Sequence, residues 1–156
     1  MAKAKVQKKY TAGLSESTAA KRKAEIRKRV AGKKSYKPLA GDAKAKTKPS
    51  KHTKKVTRSG VRKEILKTAG EMKGSQDERF IKAVAKVTGV SPSIIRKVFK
   101  KGQAAWAVGH RPGATQAQWA RARVYSFITG GKTSKTADAA LYLQAKKTQR
   151  KTGYTI

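Results

Sequence analysis

Apolar side chains along this chain recur at helical spacing from about residue 58 onward and thin out before it. Residues Arg58 to Ala69 place Val61, Ile65 and Leu66 on one face. Between Asp77 and Thr88, Phe80, Ile81, Val84 and Val87 fall at i, i+1, i+4 and i+7, an amphipathic stripe. Asp77 and Glu78 lie at the positive end of that helix, where acids are favourable, and Gly89 stops it. Ser91-Pro92 then opens a further helix, with serine as cap and proline in the first turn. Its buried face is Ile95, Val98 and Phe99, and Lys100-Lys101-Gly102 is its expected end. Gln116 to Thr129 carries Ala117, Ala120, Val124, Phe127 and Ile128 inward, and Gly130-Gly131 breaks it. A last helix is expected from about Lys135 to Lys147, packing through Ala139, Leu141, Tyr142 and Leu143. No strand-like alternation competes, so the expected fold class is all-α.

The first part of the chain is different. Residues 1–60 hold 20 Lys+Arg, 3 acids and nine large apolar side chains, whereas residues 61–156 hold 20, 5 and 25. So few apolar groups do not offset the entropy of ordering that segment alone. The expected organisation is a basic arm over 1–56, extended or partly helical, and either disordered or ordered on a partner. A helical domain over 57–148 and a C-terminal tail over 149–156 follow. Within the arm, Glu16 to Val30 reads as a helix capped by Ser15 and stopped by Gly32. Lys33 to Lys55 is low-complexity and tail-like.

Charge narrows the function. With 40 Lys+Arg against 8 Asp+Glu, the net charge is +32, a field that concentrates polyanions. The absence of cysteine removes disulfides, thiolate catalysis and cysteine-based zinc sites. Two histidines, His52 and His110, are too few for a His-rich metal site. No apolar run is long enough to span a bilayer, and Met1 to Lys9 has no apolar core of a secretory signal. Paired carboxylates and Ser/His/Asp sets are not apparent, so the expectation is a non-enzyme without cofactor or metal. Gly130-Gly131-Lys132-Thr133 resembles a phosphate loop only superficially. Position 126 is Ser where that loop needs Gly, and a helix rather than a strand precedes it.

Val84-Ala85-Lys86-Val87-Thr88-Gly89-Val90-Ser91-Pro92-Ser93-Ile94-Ile95-Arg96-Lys97-Val98 resembles the helix-turn-helix of lac-repressor-type regulators. Docked in a major groove, such a hairpin would turn Ser93, Arg96, Lys97 and Lys100 toward DNA. Pro92 and Ile94 stand where a base reader needs Gln, Asn or Arg, so phosphate contact is expected rather than base readout. A helical hairpin used only for packing is the alternative. Other candidate phosphate contacts are Lys21, Arg22 and Arg27 in the arm, and Arg111 in the Gly109-His110-Arg111-Pro112-Gly113 loop. Arg121 and Arg123 beside Trp119, and Lys132, complete the set. Trp119 would suit a nucleic-acid face, yet such a tryptophan is more often simply core, and Trp106 has the same ambiguity.

A second resemblance spans nearly the whole chain. Lys100-Lys101-Gly102-Gln103-Ala104-Ala105-Trp106, Gly109-His110-Arg111-Pro112-Gly113-Ala114-Thr115-Gln116, Trp119-Ala120-Arg121-Ala122-Arg123-Val124, Ser126-Phe127 and Gly130-Gly131-Lys132 carry it. Lys9-Tyr10, Gly13-Leu14-Ser15 and Ser50-Lys51-His52 extend it into the arm. These segments resemble an uncharacterised family of small, highly basic proteins of large DNA viruses and tailed phages, especially marine and cyanobacterial ones. The resemblance implies viral origin and association with the virion or host cytoplasm, and assigns no functional residue. The resulting expectation is a virion-associated protein that binds nucleic acid, DNA before RNA, to condense the genome or tether it to the capsid. The alternatives are a minor capsid or cement protein whose arm runs along capsid subunits, a ribosomal-type RNA-binding protein, and a transcription regulator.

Overall fold

In the computed structural model the described residues are 5–30, 54–56, 59–109 and 114–156. The elements are a 3-10 turn at Lys8–Tyr10, α1 (Glu16–Val30), α2 (Val61–Gly70), α3 (Gln76–Thr88), α4 (Pro92–Val108), α5 (Gln116–Ile128), a 3-10 turn at Lys132–Lys135 and α6 (Ala139–Thr148). No strand occurs among the described residues, and the fold is all-α. No helix among them is long and apolar enough to cross a membrane.

The chain forms two compact units. One groups residues 1–48 with 103–119, the other 49–102 with 120–156. This division differs from a boundary at residue 56. In the first unit, the α1 face holds Ile26 and Arg22, both buried. Ser15 accepts the Thr18 N–H at 3.4 Å at the start of α1. Gly109 is packed so closely on the ring of Tyr10 that a Cβ there would lie 2.8 Å from it. Tyr10 and Gly109 therefore meet, and this part of the arm is built into the fold. The Trp106 indole donates to the Ala114 carbonyl at 2.9 Å, so Trp106 is core here. Gly32, Ser50, His52, His110 and Arg111 lie outside the described residues.

The second unit buries one apolar cluster. Ile65 of α2, Phe80 and Val84 of α3, Ile95 and Val98 of α4, and Val124 and Phe127 of α5 are its centre. The edge-on ring pairs Phe80–Tyr125 and Phe127–Tyr142 extend it. Val56 and Ile156, from segments read as arm and tail, are buried in the same cluster. Burial pushes the Tyr125 and Tyr154 hydroxyls above the usual phenol range.

Several sequence expectations are corrected by packing. Gly102 does not end its helix, because α4 runs on to Val108. A Cβ at Gly102 would lie 2.6 Å from the Ala120 Cα, so the glycine permits a close helix crossing instead. Leu66 and Leu143 are exposed, and the buried residue of α6 is Ala145. The last helix starts at Ala139, because Lys132–Lys135 first makes a 3-10 turn.

The expected tail over 149–156 is instead a strap on the turn between α3 and α4. Gln149 donates to the carbonyls of Thr88 (2.7 Å) and Tyr154 (2.8 Å). The Thr152 hydroxyl donates to Val87 O at 2.9 Å, and the Tyr154 hydroxyl to Ile128 O at 3.0 Å. The Arg150 N–H donates to Gly89 O at 3.0 Å. The bonds to Val87, Thr88 and Gly89 satisfy carbonyls that the end of α3 leaves without helical partners.

Candidate nucleic-acid interface

Local chemistry fixes the α3–α4 corner. Ser75 caps α3 by accepting the Glu78 N–H at 3.3 Å. Gly89 ends the helix at φ 73°, left-handed backbone that suits glycine. Buried Thr88 donates to Val84 O at 2.7 Å and accepts the Val90 N–H at 3.3 Å, so no polar group of the corner is wasted. Ser91 stands before Pro92, and its carbonyl accepts the N–H groups of Ile94 and Ile95. Its hydroxyl meets that of Ser93 at 2.9 Å.

Helix α4 consequently buries Ile94, Ile95, Val98 and Phe99. The opposite stripe, at i, i+4 and i+7, is Ser93, Lys97 and Lys100, all exposed. A pinned cation flanks the stripe on each side. Arg96 makes a two-point ion pair with Glu78, at 3.3 Å from Nε and 3.0 Å from a terminal nitrogen. That bond holds the Glu78 carboxyl below the usual range and raises Arg96 further. Lys101 donates to Ala137 O at 2.9 Å and lies 3.4 Å from the Asp138 carboxylate.

Two predicted contacts are used inside the fold. Arg123 holds both oxygens of Asp138 at 2.9 Å, and the Asp138 side chain is fully buried. Arg121 pairs with Asp77 at 2.9 Å and lies over the Phe80 ring, 5.6 Å from its centroid. Arg22 is fully buried, so its guanidinium has no surface from which to reach a polyanion. Arg27 is half-buried, whereas Lys21 and Lys132 are exposed. The structure thus brings Ser93, Lys97 and Lys100 onto one surface, edges it with Arg96, and gives Arg22, Arg121 and Arg123 other surroundings.

Sequence reasoning gave Asp77 and Glu78 only a helix-dipole role and assigned none to Asp138. Residues 79–156 contain sixteen Lys+Arg and one acid, Asp138. A lone carboxylate in such a stretch is a signal for a structural ion pair. Lys146 of the last helix and Arg150 and Lys151 of the expected tail were also missed, and they lie on or beside the strap. Among the described residues no group of three or more His, Cys, Asp or Glu could hold a metal ion.

A family profile described as "Family of unknown function (DUF5824)" matches residues 7–144. No curated protein and no solved structure matches the chain.

Proposed function

Since the chain belongs to this family of unknown function across most of its length, we propose from its own residues that it is a non-enzymatic nucleic-acid-binding protein. It meets the phosphate backbone with the exposed face of α4. The observation that carries this is the stripe Ser93, Lys97 and Lys100, edged by Arg96. The acids beside α4, Asp77 and Glu78 at the start of α3 and Asp138 near Lys101, are each engaged by a cation. Among the described residues Lys97 and Lys100 make no ion pair.

The chemistry favours charge over sequence. Lysines act as point charges toward phosphate, and the stripe offers no Asn, Gln or free Arg fork for base edges. A net charge of +32 sets an upper bound of about thirty phosphates neutralised per chain. DNA is the proposed partner before RNA. The resemblance to basic viral proteins extends the proposal to a virion component, in the particle or host cytoplasm, that condenses the genome or tethers it to capsid proteins.

Titrating scrambled duplexes at two salt concentrations tests this. Affinity should fall steeply with salt and vary little with sequence. Salt-independent binding, or strong preference for one duplex, contradicts it.

A further inference from the structure

We infer that the C-terminal strap is a second phosphate-binding element, which takes backbone phosphates of the nucleic acid that α4 engages. This rests on the proposed nucleic-acid function and adds to it a segment that charge and helix-turn-helix patterning do not single out. Four observations converge on it. The segment 139–156 contains Lys146, Lys147, Arg150 and Lys151 and no acid. The segment is held by the Gln149 and Thr152 side chains and the Arg150 backbone N–H on the α3–α4 corner, by the Tyr154 hydroxyl on α5, and by burial of Ile156. Lys146, Arg150, Lys151, Thr152 and Thr155 line a shallow cleft of about 350 Å³. Arg150 is bonded through its backbone to Gly89, three residues before Pro92, at which α4 begins.

The physical consequence is specific. A free tail would spread its like charges apart, whereas a strap with its backbone bonded down keeps Lys146, Arg150 and Lys151 around one concavity. Their mutual repulsion opposes folding, and an anion in the cleft relieves it. Hydroxyls of Thr152 and Thr155 border the cleft, though Thr152 spends its proton on Val87 O. The ligand chemistry is a phosphodiester oxygen with two or more cations around it, supported by a hydroxyl or amide donor. The strap crosses the corner from which α4 departs, with the Arg150 backbone anchored at Gly89, near the end of α4 at which the stripe begins. A backbone running along α4 passes from Lys100 and Lys97 toward Arg150.

The test compares three full-length proteins by fluorescence anisotropy on one scrambled duplex across a salt series. They are the parent, the strap variant Lys146→Gln/Arg150→Gln/Lys151→Gln, and the stripe variant Lys97→Gln/Lys100→Gln. The strap variant should keep the parent's melting temperature, bind more weakly, and lose up to about three contacts' worth of salt slope, roughly 0.9 per contact. Arg150→Lys should restore its share of the slope, since charge rather than a fork is required. If the strap variant binds as the parent does while the stripe variant weakens, the strap inference is overturned and the α4 proposal stands. If the parent itself shows no salt-dependent binding, both fall. Should the triple variant melt early, Arg150→Gln alone decides, with an unchanged slope counting against the strap.

Discussion

Arg123 of α5 holds both carboxylate oxygens of Asp138 at 2.9 Å, and the acid is sealed from solvent. Lys101 of α4 lies 3.4 Å from the same carboxylate. One acid thereby ties α4 and α5 to the start of α6. Breaking such a pair from one side leaves an uncompensated, largely buried charge. Asp138→Ala should cost about 3–5 kcal/mol in urea denaturation. Replacing both partners by apolar residues, Arg123→Met with Asp138→Leu, should recover much of that loss. A single variant as stable as the parent would show the pair to be idle.

Gly89 is the second point of vulnerability. Its φ is 73°, and an added Cβ would collide with the Arg150 carbonyl oxygen. Gly89→Val must strain the turn and displace the strap together, so a loss of at least about 2 kcal/mol is expected. Gly60, at the same φ, has open space around its Cβ direction. Gly60→Ala should therefore cost less than Gly89→Ala in the same thermal melts, because only the backbone term applies.

Ending the chain at Thr148 should destabilise the second unit, not merely trim it. The cut removes a buried isoleucine and the side-chain bonds of Gln149, Thr152 and Tyr154. The expected loss is about 3–5 kcal/mol, counting about 1 per hydrogen bond and about 1.5 or more for the isoleucine. At the other end, removing residues 1–53 keeps Val56 and should be milder for this unit than removing 1–56. Circular dichroism melts of the three truncations rank them.

Periodicity made the helices legible because apolar spacing and stop residues act locally. Phe80, Ile81, Val84 and Val87 form the buried face of α3, Gly89 ends it, and α1 has the expected bounds. What the sequence concealed depends on partners distant along the chain. Gly102 looks like a helix stop until Ala120 is seen against it. Arg121 and Arg123 look like free surface cations until Asp77 and Asp138 are found beside them. The polar segment 149–156 has no periodicity at all, since its place is set by hydrogen bonds to the α3–α4 corner. At the candidate interface the lysines of the stripe were readable from spacing, but the acids that take up their arginine neighbours were not.

Glu78 holds the Arg96 guanidinium that the proposed interface would otherwise offer to phosphate. Its carboxyl is depressed chiefly by the hydrogen bond from Arg96, so it is charged, and holds the arginine, throughout neutral pH. Freeing the arginine by Glu78→Gln should strengthen duplex binding and steepen the salt dependence by about one contact. The pair's contribution to stability is present above the ordinary carboxylate range and disappears as pH falls through the lowered value. Parent and variant should therefore converge in affinity only in acid. A weaker-binding Glu78→Gln protein would mean that the ion pair presents Arg96 to the ligand instead of withholding it.

The claim that α4 is the phosphate-binding surface is tested most directly by the salt slope of Lys97→Gln/Lys100→Gln. These side chains are exposed and outside every ion pair described above, so melting should be unchanged within about 0.5 kcal/mol. A plot of log affinity against log salt should be shallower than the parent's by about 1.8, roughly 0.9 for each of two lost phosphate contacts. The loss should be equal on unrelated duplexes. A slope and affinity identical to the parent's would contradict the account, leaving α4 as a packing helix and moving the interface elsewhere on the chain.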